Sequence, residues 1–271
     1  MKNMRKYVIT LIIGSLFLAS CSKKESSSTV VQPDPQPSAT QQATVFYFGG
    51  TWCGPCGNLG KPAKEALKKE LGDTKVSIVS CQQADPMNIP AGNDLAKLFN
   101  ADRVPYMYVG GSDEPSDRVL VLSSMSEDAV SKASTYLNRI PTANLLASFY
   151  LNSNGVLQVD SKIKFFKDVT NKYYVAAYLT EDGIFETQTS DASVEKNIHN
   201  SVLRTIMGKS ITGDIISEDS ITKEMVFKKS FEAVLDSKYK KDKLKAVVVV
   251  WMKNSDGSYF ISNSIVAPIN K

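Results

Sequence analysis

The feature that most constrains this chain is a pair of cysteines, Cys53 and Cys56, set between an apolar run and a helical segment. Residues 44–48 are rich in aromatic and β-branched side chains and predict a buried strand, and the two glycines that follow allow a sharp turn. Residues 61–71 have the composition of a helix. A cysteine at this junction lies where free N–H groups and the helix dipole favour a thiolate, so Cys53 is predicted to be nucleophilic. Cys56, one helical turn later, is placed to resolve a disulfide formed on Cys53.

A C-x-x-C spacing is also half of a zinc site, and that alternative needs further ligands. The chain contains four cysteines and a single histidine, His199, which lies far along the chain, and it has no second C-x-x-C. The sequence therefore favours dithiol–disulfide chemistry over zinc at Cys53 and Cys56. We expect no metal and no cofactor.

The segment Trp52-Cys53-Gly54-Pro55-Cys56 resembles the W-C-G-P-C motif of the thioredoxin superfamily. A second segment, Arg103–Val109, is a predicted strand with a proline at its start, and it resembles the loop of that family in which a cis-proline faces the cysteines. The resemblance implies that Pro105 follows a cis peptide bond and that Trp52, Val104 and Pro105 contact the substrate. The alternative for Pro105 is an ordinary trans-proline that opens a strand.

The sequence departs from the thioredoxin pattern near the motif. Tyr47 stands where the family has a buried aspartate that helps to move the proton of the second cysteine, and the strand that ends at Cys81 carries no lysine to pair with such an acid. Gly57 and Gly60 are expected to weaken the start of the helix. We expect these changes to slow release of a mixed disulfide more than the first attack. For Cys81 two alternatives stay open, a place near the redox pair or a buried free cysteine that packs as a small apolar residue.

The N-terminus has the pattern of an exported lipoprotein. Residues 1–20 combine a basic start with an apolar centre, as in a signal peptide. Leu18-Ala19-Ser20-Cys21 resembles the lipobox of bacterial lipoproteins, which implies that Cys21 carries the lipid that attaches the protein to the membrane. The alternatives are a cytoplasmic chain with an apolar N-terminus and a secreted protein without lipid. Residues 21–43 are mostly polar and proline-rich and predict a disordered tether.

The rest of the chain divides into two patterns. Residues 44–141 mix strands and helices, whereas residues 142–271 show strands without a long helix. In the second part, apolar and polar residues alternate over 157–165, and Asn154-Gly155 and Asp256-Gly257 mark tight hairpins. The predicted fold class is an α/β thioredoxin-like domain, 44–141, followed by an all-β sandwich of the immunoglobulin-like or jelly-roll type, 142–271.

Two segments of the second part, Leu179–Ile184 and Ile198–Arg204, resemble the C-terminal domain of the outer membrane protein 28 family. Its members are lipoproteins of Bacteroidetes-type bacteria in which a thioredoxin-like half precedes a β-domain. The resemblance implies an outer membrane lipoprotein that faces the periplasm or the cell surface. His199 and Arg204 have two interpretations: a ligand or partner site, or pairing with Glu181 or backbone carbonyls to fix a long loop. We favour the second because no nucleophile or set of metal ligands accompanies the lone histidine.

Together these features predict a membrane-anchored thiol–disulfide oxidoreductase of the cell envelope. It would act on protein thiols and disulfides, with Cys53 as nucleophile, Cys56 as resolving thiol and a membrane electron donor to recharge the pair. The alternative is an outer-membrane or surface binding or adhesion lipoprotein in which the first half is a scaffold. The net charge of +4 is modest and belongs partly to the leader, so no nucleic-acid partner is expected.

Overall fold

The structure is a computed structural model, and it describes residues 34–189 and 198–270. The predicted signal peptide, the lipid site at Cys21 and most of the predicted tether lie outside these residues, so those expectations stay predictions. Within the described ranges, no helix combines the length and the apolar character that crossing a membrane requires.

The first half of the described chain alternates strands with helices. The strands are β1 (Ala43–Gly49), β2 (Val76–Gln82), β3 (Tyr106–Gly110) and β4 (Asp117–Val119), and the helices are α1 (Lys61–Leu71), α2 (Pro90–Leu98) and α3 (Met125–Leu137). A π-helical turn, Cys56–Gly60, leads directly into α1. Strand β1 runs parallel to β2 and antiparallel to β3. The parallel pair requires a crossover connection, and α1 provides it.

The second half consists mainly of strands. They are β5 (Ala143–Leu151), β6 (Val156–Phe165), β7 (Lys172–Glu181), β8 (Ile184–Phe185), β9 (Ile198–His199), β10 (Val202–Ile206), β11 (Asp214–Ile215), β12 (Val226–Val234), β13 (Leu244–Lys253) and β14 (Tyr259–Pro268). Residues of β6 are buried at alternate positions, as the sequence pattern predicts. Asn154-Gly155 lies between the antiparallel strands β5 and β6, and Asp256-Gly257 lies between β13 and β14. Both predicted hairpins are therefore confirmed.

One large mixed sheet runs through both halves of the chain. Its strand order is β14-β13-β7-β10-β2-β1-β3-β4, with β11 also paired to β7. The halves join where β10 lies parallel to β2, with Val202 opposite Ser80. Strands β12, β6 and β5 form a separate three-stranded sheet, and β8 and β9 form a two-stranded ribbon.

The large sheet bends so that its two arms face each other. Phe46 on β1 and Trp251 on β13 are separated by three intervening strands, so a flat sheet would place them about 19 Å apart. Their ring centroids are 5.5 Å apart. Tyr178 on β7 and Phe99 after α2 pack against the same phenylalanine ring. An aromatic core therefore fills the space between the two arms.

Strand β13 belongs to two cores because it is buried on both faces. Val247, Val249 and Trp251 face the aromatic core, while the alternating Val248 and Val250 face a second core that includes residues of β5 and β6. A third core lies between the other face of β1 and the helices α1 and α3. A continuous apolar run such as that of β13 is typical of a strand covered on both sides.

The predicted fold class is wrong. The described residues contain more strand than helix, and the chain from Gln36 onwards forms one compact unit around the large mixed sheet. It is not an α/β thioredoxin-like domain followed by an independent sandwich. The local patterns identify strands, but they do not say which sheet a strand joins, and here β10 pairs with β2 across the expected division. The boundary at residue 141 itself stays a prediction.

The end of the predicted tether is bound to this compact unit. Gln41 Nε2 donates a hydrogen bond to the carbonyl oxygen of Ser262 over 3.0 Å. The N–H of Gln42 donates to Asn263 Oδ1 over 2.9 Å. These contacts, made just before β1 begins, fix the direction in which the chain enters the sheet.

Candidate functional site

Cys53 and Cys56 lie between the end of β1 and the start of α1 and are joined by a disulfide, with their Cα atoms 5.3 Å apart. The N–H of Cys56 donates a hydrogen bond to Cys53 Sγ over 3.2 Å. The same N–H also lies 3.2 Å from the carbonyl oxygen of Cys53, so it is shared between that oxygen and the sulfur. After reduction, this donor and the helix dipole both favour a negative charge on Cys53.

The zinc alternative gains no support at this site. In the parts of the chain that the structure describes, no group of three or more His, Cys, Asp or Glu side chains is arranged to hold a metal ion. A structural zinc ion bound by Cys53 and Cys56 would require two further ligands.

The ring of Tyr47 accounts for glycine at two positions near the motif, Gly49 and Gly60. Its ring lies against Gly49 and Gly60, and a Cβ atom at either position would collide with it. The phenol oxygen lies 3.5 Å from the carbonyl oxygen of Cys56. The sequence predicts that Gly60 weakens the helix, whereas in the structure it makes room for the tyrosine. Burial raises the pKa of the Tyr47 phenol, so the hydroxyl remains protonated at neutral pH.

A segment from the second half of the chain covers the main chain of the motif. Gln188 Nε2 donates towards the carbonyl oxygens of Gly50 at 3.2 Å, Thr51 at 3.1 Å and Cys53 at 2.9 Å. The N–H of Thr189 donates to the carbonyl of Thr51 over 2.8 Å. The motif is therefore tied to both halves of the chain.

The motif residues differ sharply in exposure. Trp52 is 53% exposed, and its indole Nε1 donates to the carbonyl of Gln83 over 2.9 Å. Cys53 is 4% exposed and Cys56 is 2% exposed. A partner that approaches this face therefore has much more of Trp52 available to contact than of either sulfur atom.

Behind the disulfide lies a cavity shared by both halves of the chain. Its lining includes Tyr47, Cys56, Lys64, Gln188 and His199. Lys64 extends from α1, and its Nζ donates to Ser80 Oγ over 3.0 Å and lies 4.4 Å from the centre of the Tyr47 ring. Burial of the amine and the charge of nearby Lys68 lower the pKa of Lys64 to about 7. A substantial fraction of this amine is therefore neutral at physiological pH.

His199 and Arg204 pair with a backbone carbonyl and with Glu181 among the described residues between β7 and β10, in agreement with the interpretation favoured from the sequence. His199 Nε2 lies 3.2 Å from the carbonyl oxygen of Glu186, and Arg204 Nε lies 3.3 Å from Glu181 Oε2. Burial and the charge of Lys64 lower the pKa of His199 to about 4. The imidazole is therefore neutral near pH 7.

The peptide bond between Val104 and Pro105 is cis. Strand β3 begins at the next residue, and its register places Tyr106 opposite Phe48 on β1. Pro105 therefore lies at the end of the sheet from which the chain enters the cysteine motif. The contacts of Trp52, Val104 and Pro105 with a substrate stay a prediction.

Cys81 is a free cysteine and is buried. It lies opposite Phe48 in the pairing of β2 with β1 and belongs to the aromatic core. Burial raises the pKa of its thiol. Of the two alternatives left open by the sequence, the structure supports the buried free cysteine.

Two residues of the site, Lys64 and Gln188, belong to no motif that would mark them in the sequence. Lysines on helices are mostly solvent-exposed, so Lys64 carries no signal alone. The spacing of Lys61, Lys64 and Lys68 places three lysines along one face of α1, and this clustering is the signal that could mark it. Gln188 belongs to no motif, and only the fold brings it to the cysteines.

The model of the family described as outer membrane protein Omp28 matches residues 121–265, which is more than half of the 271-residue chain. No curated protein matches the chain in sequence.

Two solved structures are similar to the chain over different extents. The chain is similar to HBP35 of Porphyromonas gingivalis, with a TM-score of 0.70 at 13% identity over 87% of this chain and 77% of that chain. This likeness shows a shared fold alone, and because it includes both halves it agrees with the single compact unit. A domain of the outer membrane lipoprotein Omp28 from Porphyromonas gingivalis is similar over 49% of this chain and 91% of that chain, at 18% identity and a TM-score of 0.32.

Proposed function

The chain belongs to the Omp28 family of outer membrane proteins, and from this premise we propose that it exchanges thiols and disulfides with protein substrates at the outer membrane. Family membership confirms the predicted outer-membrane localisation. Cys53 is the nucleophile of the proposed reaction and Cys56 is the resolving thiol. The observation that supports this chemistry best is their disulfide at the start of a helix, with the Cys56 N–H directed at Cys53 Sγ.

In the reducing direction the exchange has two steps. The thiolate of Cys53 attacks one sulfur of a substrate disulfide, forms a mixed disulfide and releases the other substrate sulfur as a thiolate. The Cys56 thiol then loses its proton, and its sulfur attacks Cys53 Sγ. The remaining substrate sulfur leaves as a second thiolate. The substrate gains two electrons, and the Cys53–Cys56 pair is oxidised to the disulfide found in the structure.

Repeated reduction requires a donor of two electrons. A dithiol protein or another membrane electron donor would return the Cys53–Cys56 disulfide to the dithiol form. In the opposite direction, a substrate dithiol reduces this disulfide and becomes oxidised. The same sulfur atoms serve both directions, and the reduction potential of the partner decides between them.

The test is reduction of insulin disulfides by the full-length protein in detergent, with dithiothreitol as electron donor. We expect the wild-type protein to accelerate the reduction and Cys53→Ser to abolish the acceleration. Cys81→Ala is the matched control, since it removes a free cysteine that is buried away from the pair. Equal rates for wild type and Cys53→Ser would contradict the proposal.

A second candidate is an outer-membrane binding or adhesion protein in which the disulfide only stabilises the fold. The family description names a location and no reaction, so it supports this candidate as well. The observation that favours it is the small exposure of Cys53, 4%, beneath a main chain that Gln188 ties down.

The two candidates differ in what removal of the disulfide changes. If the pair is only structural, the double variant Cys53→Ser/Cys56→Ser lowers the Tm, and no variant or wild type accelerates insulin reduction. If the pair exchanges disulfides, wild type and Cys81→Ala accelerate the reaction and the double variant does not.

A further inference from the structure

Lys64 is a partly buried amine in an unusual setting. Its Nζ donates to the Ser80 hydroxyl, and its place over the Tyr47 ring puts it at the cavity that Cys56 also lines. Among the described residues, no carboxylate lies within ion-pair distance of Lys64. Lysines that leave water usually pair with an acid, because an uncompensated charge is costly to bury.

The groups around this amine disfavour its charged form. On its own helix, Lys61 and Lys68 add positive charge and Glu65 opposes them. Asp182, just after the end of β7, also opposes them. Burial outweighs the two acids and lowers the pKa of Lys64 to about 7. The neutral amine has a free electron pair and can accept a proton.

Two other titratable groups that line the cavity, Tyr47 and His199, are poor proton acceptors. Burial raises the pKa of Tyr47, so its phenol stays protonated. His199 Nε2 faces the carbonyl oxygen of Glu186, which requires a proton on that nitrogen, and the pKa of the ring is lowered to about 4. Of these three groups, Lys64 is therefore the one that can take up a proton near neutral pH in the cavity that Cys56 lines.

We propose that Lys64 accepts the proton of Cys56 in the second step of exchange. The inference rests on the proposed thiol–disulfide function and names a residue that assists it. The Cys56 S–H bond breaks and its proton passes to Lys64 Nζ, while the sulfur electron pair forms the bond to Cys53 Sγ. The substrate sulfur leaves with the electrons of the broken S–S bond. When the pair is reduced again, the proton returns from the Lys64 ammonium to the Cys56 thiolate.

The proposal predicts an effect on one step and not on the other. The first attack uses the Cys53 thiolate, which is stabilised by the helix start, so removing Lys64 leaves it unchanged. The second step requires the Cys56 thiol to lose its proton within a nearly closed site, so it slows without a base. Positioned bases contribute roughly a hundredfold or more to such transfers.

The experiment follows both steps with dithiobis(nitrobenzoate), an aromatic disulfide whose two halves are released as coloured thiolates. The full-length protein is reduced, freed of reductant and mixed by stopped flow with less reagent than protein, so that the second release is intramolecular. We compare wild type with Lys64→Gln and Lys64→Arg. The matched control is Lys69→Gln, which removes a positive charge from an exposed position of α1 outside the cavity.

We expect Lys64→Gln to leave the first release unchanged and to slow the second at least about tenfold near pH 7. Lys64→Arg should be as slow, because a guanidinium keeps its proton. In wild type the second rate should rise with pH through about 7, where Lys64 loses its proton. In Lys64→Gln it should rise only when the thiol itself ionises, at or above about pH 8.5, so the two proteins converge in alkali. Lys69→Gln should behave as wild type.

Each contrary result has one meaning. A second release that is equally fast in Lys64→Gln and Lys69→Gln overturns the role of Lys64 and leaves the exchange function standing. Full rescue by Lys64→Arg also overturns it, because only the charge would then matter. Absence of the first release from wild type overturns both proposals. Thermal unfolding of each variant verifies that it is folded, and a misfolded Lys64→Arg leaves Lys64→Gln and its pH profile to decide.

Discussion

The structure contains two partly buried cationic side chains, Arg204 and Lys64, whose surroundings differ. Arg204 ends the segment from His199 to Arg204, and Lys64 lies beside its beginning. At one end, Arg204 lies 3.3 Å from Glu181 Oε2, and its guanidinium stacks on the ring of Tyr239 at 4.6 Å. At the other end, the amine of Lys64 shares a cavity with His199 and has a serine hydroxyl as hydrogen-bond partner. The charge of Arg204 is compensated by Glu181, whereas burial shifts Lys64 towards its neutral form.

The difference suits the Glu181–Arg204 pair to a structural role and Lys64 to the proposed proton transfer. Glu181 is 3% exposed, and its Oε1 also accepts the N–H of Lys240 over 2.9 Å, so this acid has a partner at each oxygen. Such a group is held in place by its two partners. Lys64 can lose or gain a proton near neutral pH, and Cys56 lies beside the same cavity. Proton transfer requires the second arrangement.

The largest stability effect should come from breaking the compensated site. Glu181→Gln leaves the Arg204 guanidinium partly buried without its counter-charge, and we expect the free energy of unfolding to fall by about 3 kcal/mol. Urea unfolding measures this loss, and insulin reduction should stay at the wild-type rate. The control is Asp242→Asn, whose side chain is 71% exposed and whose ion pair with Lys243 should contribute less than about 0.5 kcal/mol. A loss no greater than that of the control would show that the pair is not a stabilising element.

The next effect concerns His199 in acid. Its folded-state pKa of about 4 lies below the ordinary 6.5, so between these values the unfolded chain binds a proton that the folded protein does not. The free energy of unfolding should therefore fall as pH decreases from 6.5 to 4. We expect wild type to lose about 2 kcal/mol more than His199→Gln across this window. Parallel pH profiles of unfolding for the two proteins would contradict the burial of a neutral imidazole.

A smaller effect on stability, at alkaline rather than acidic pH, is expected from Lys64. Its folded-state pKa of about 7 lies below the ordinary 10.5, so within this window the unfolded chain binds the extra proton and stability increases with pH. Because the residue is partly exposed, we expect a gain of only about 1 kcal/mol relative to Lys64→Gln. If the free energy of unfolding of wild type and of Lys64→Gln changes equally with pH from 7 to 10.5, the amine of Lys64 is solvated rather than buried.

The smallest effect is expected from the segment at Gln188, which lies over the main chain of the motif, and it concerns the reactivity of Cys53. Gln188→Ala removes a side chain that donates towards three carbonyls of the motif, including that of Cys53. A net hydrogen bond of about 1 kcal/mol corresponds to roughly a fivefold change in opening. We expect alkylation of reduced Cys53 by iodoacetamide to accelerate by about that factor. Gln158→Ala, on the distant strand β6, is the control and should leave the rate unchanged. If both variants react alike, the segment at Gln188 does not limit access.

Much of the local structure and of the cysteine site follows from neighbours in the sequence. The apolar run, the glycines and the helix-forming segment predict β1, the turn and α1, and the C-x-x-C spacing predicts a pair close enough to bond. The hairpins at Gly155 and Gly257, both with positive φ, follow from turn chemistry. Strand periodicity, turn conformation and the reach of one helical turn depend on a few consecutive residues, so one sequence suffices to predict them.

The tertiary structure decided which elements meet, and with them the chemistry of the site. The apolar run of β13 requires cover on both faces, but the aromatic core that provides it includes Phe46, about two hundred residues earlier in the chain. Gln188 reaches the carbonyl of Gly50 across a separation of 138 residues. Lys64 is an ordinary helix lysine until β1, β2 and the segment at His199 close around its amine. Burial and hydrogen bonding across such separations arise from the folded packing of the whole chain, and they alone decide whether that lysine holds its proton.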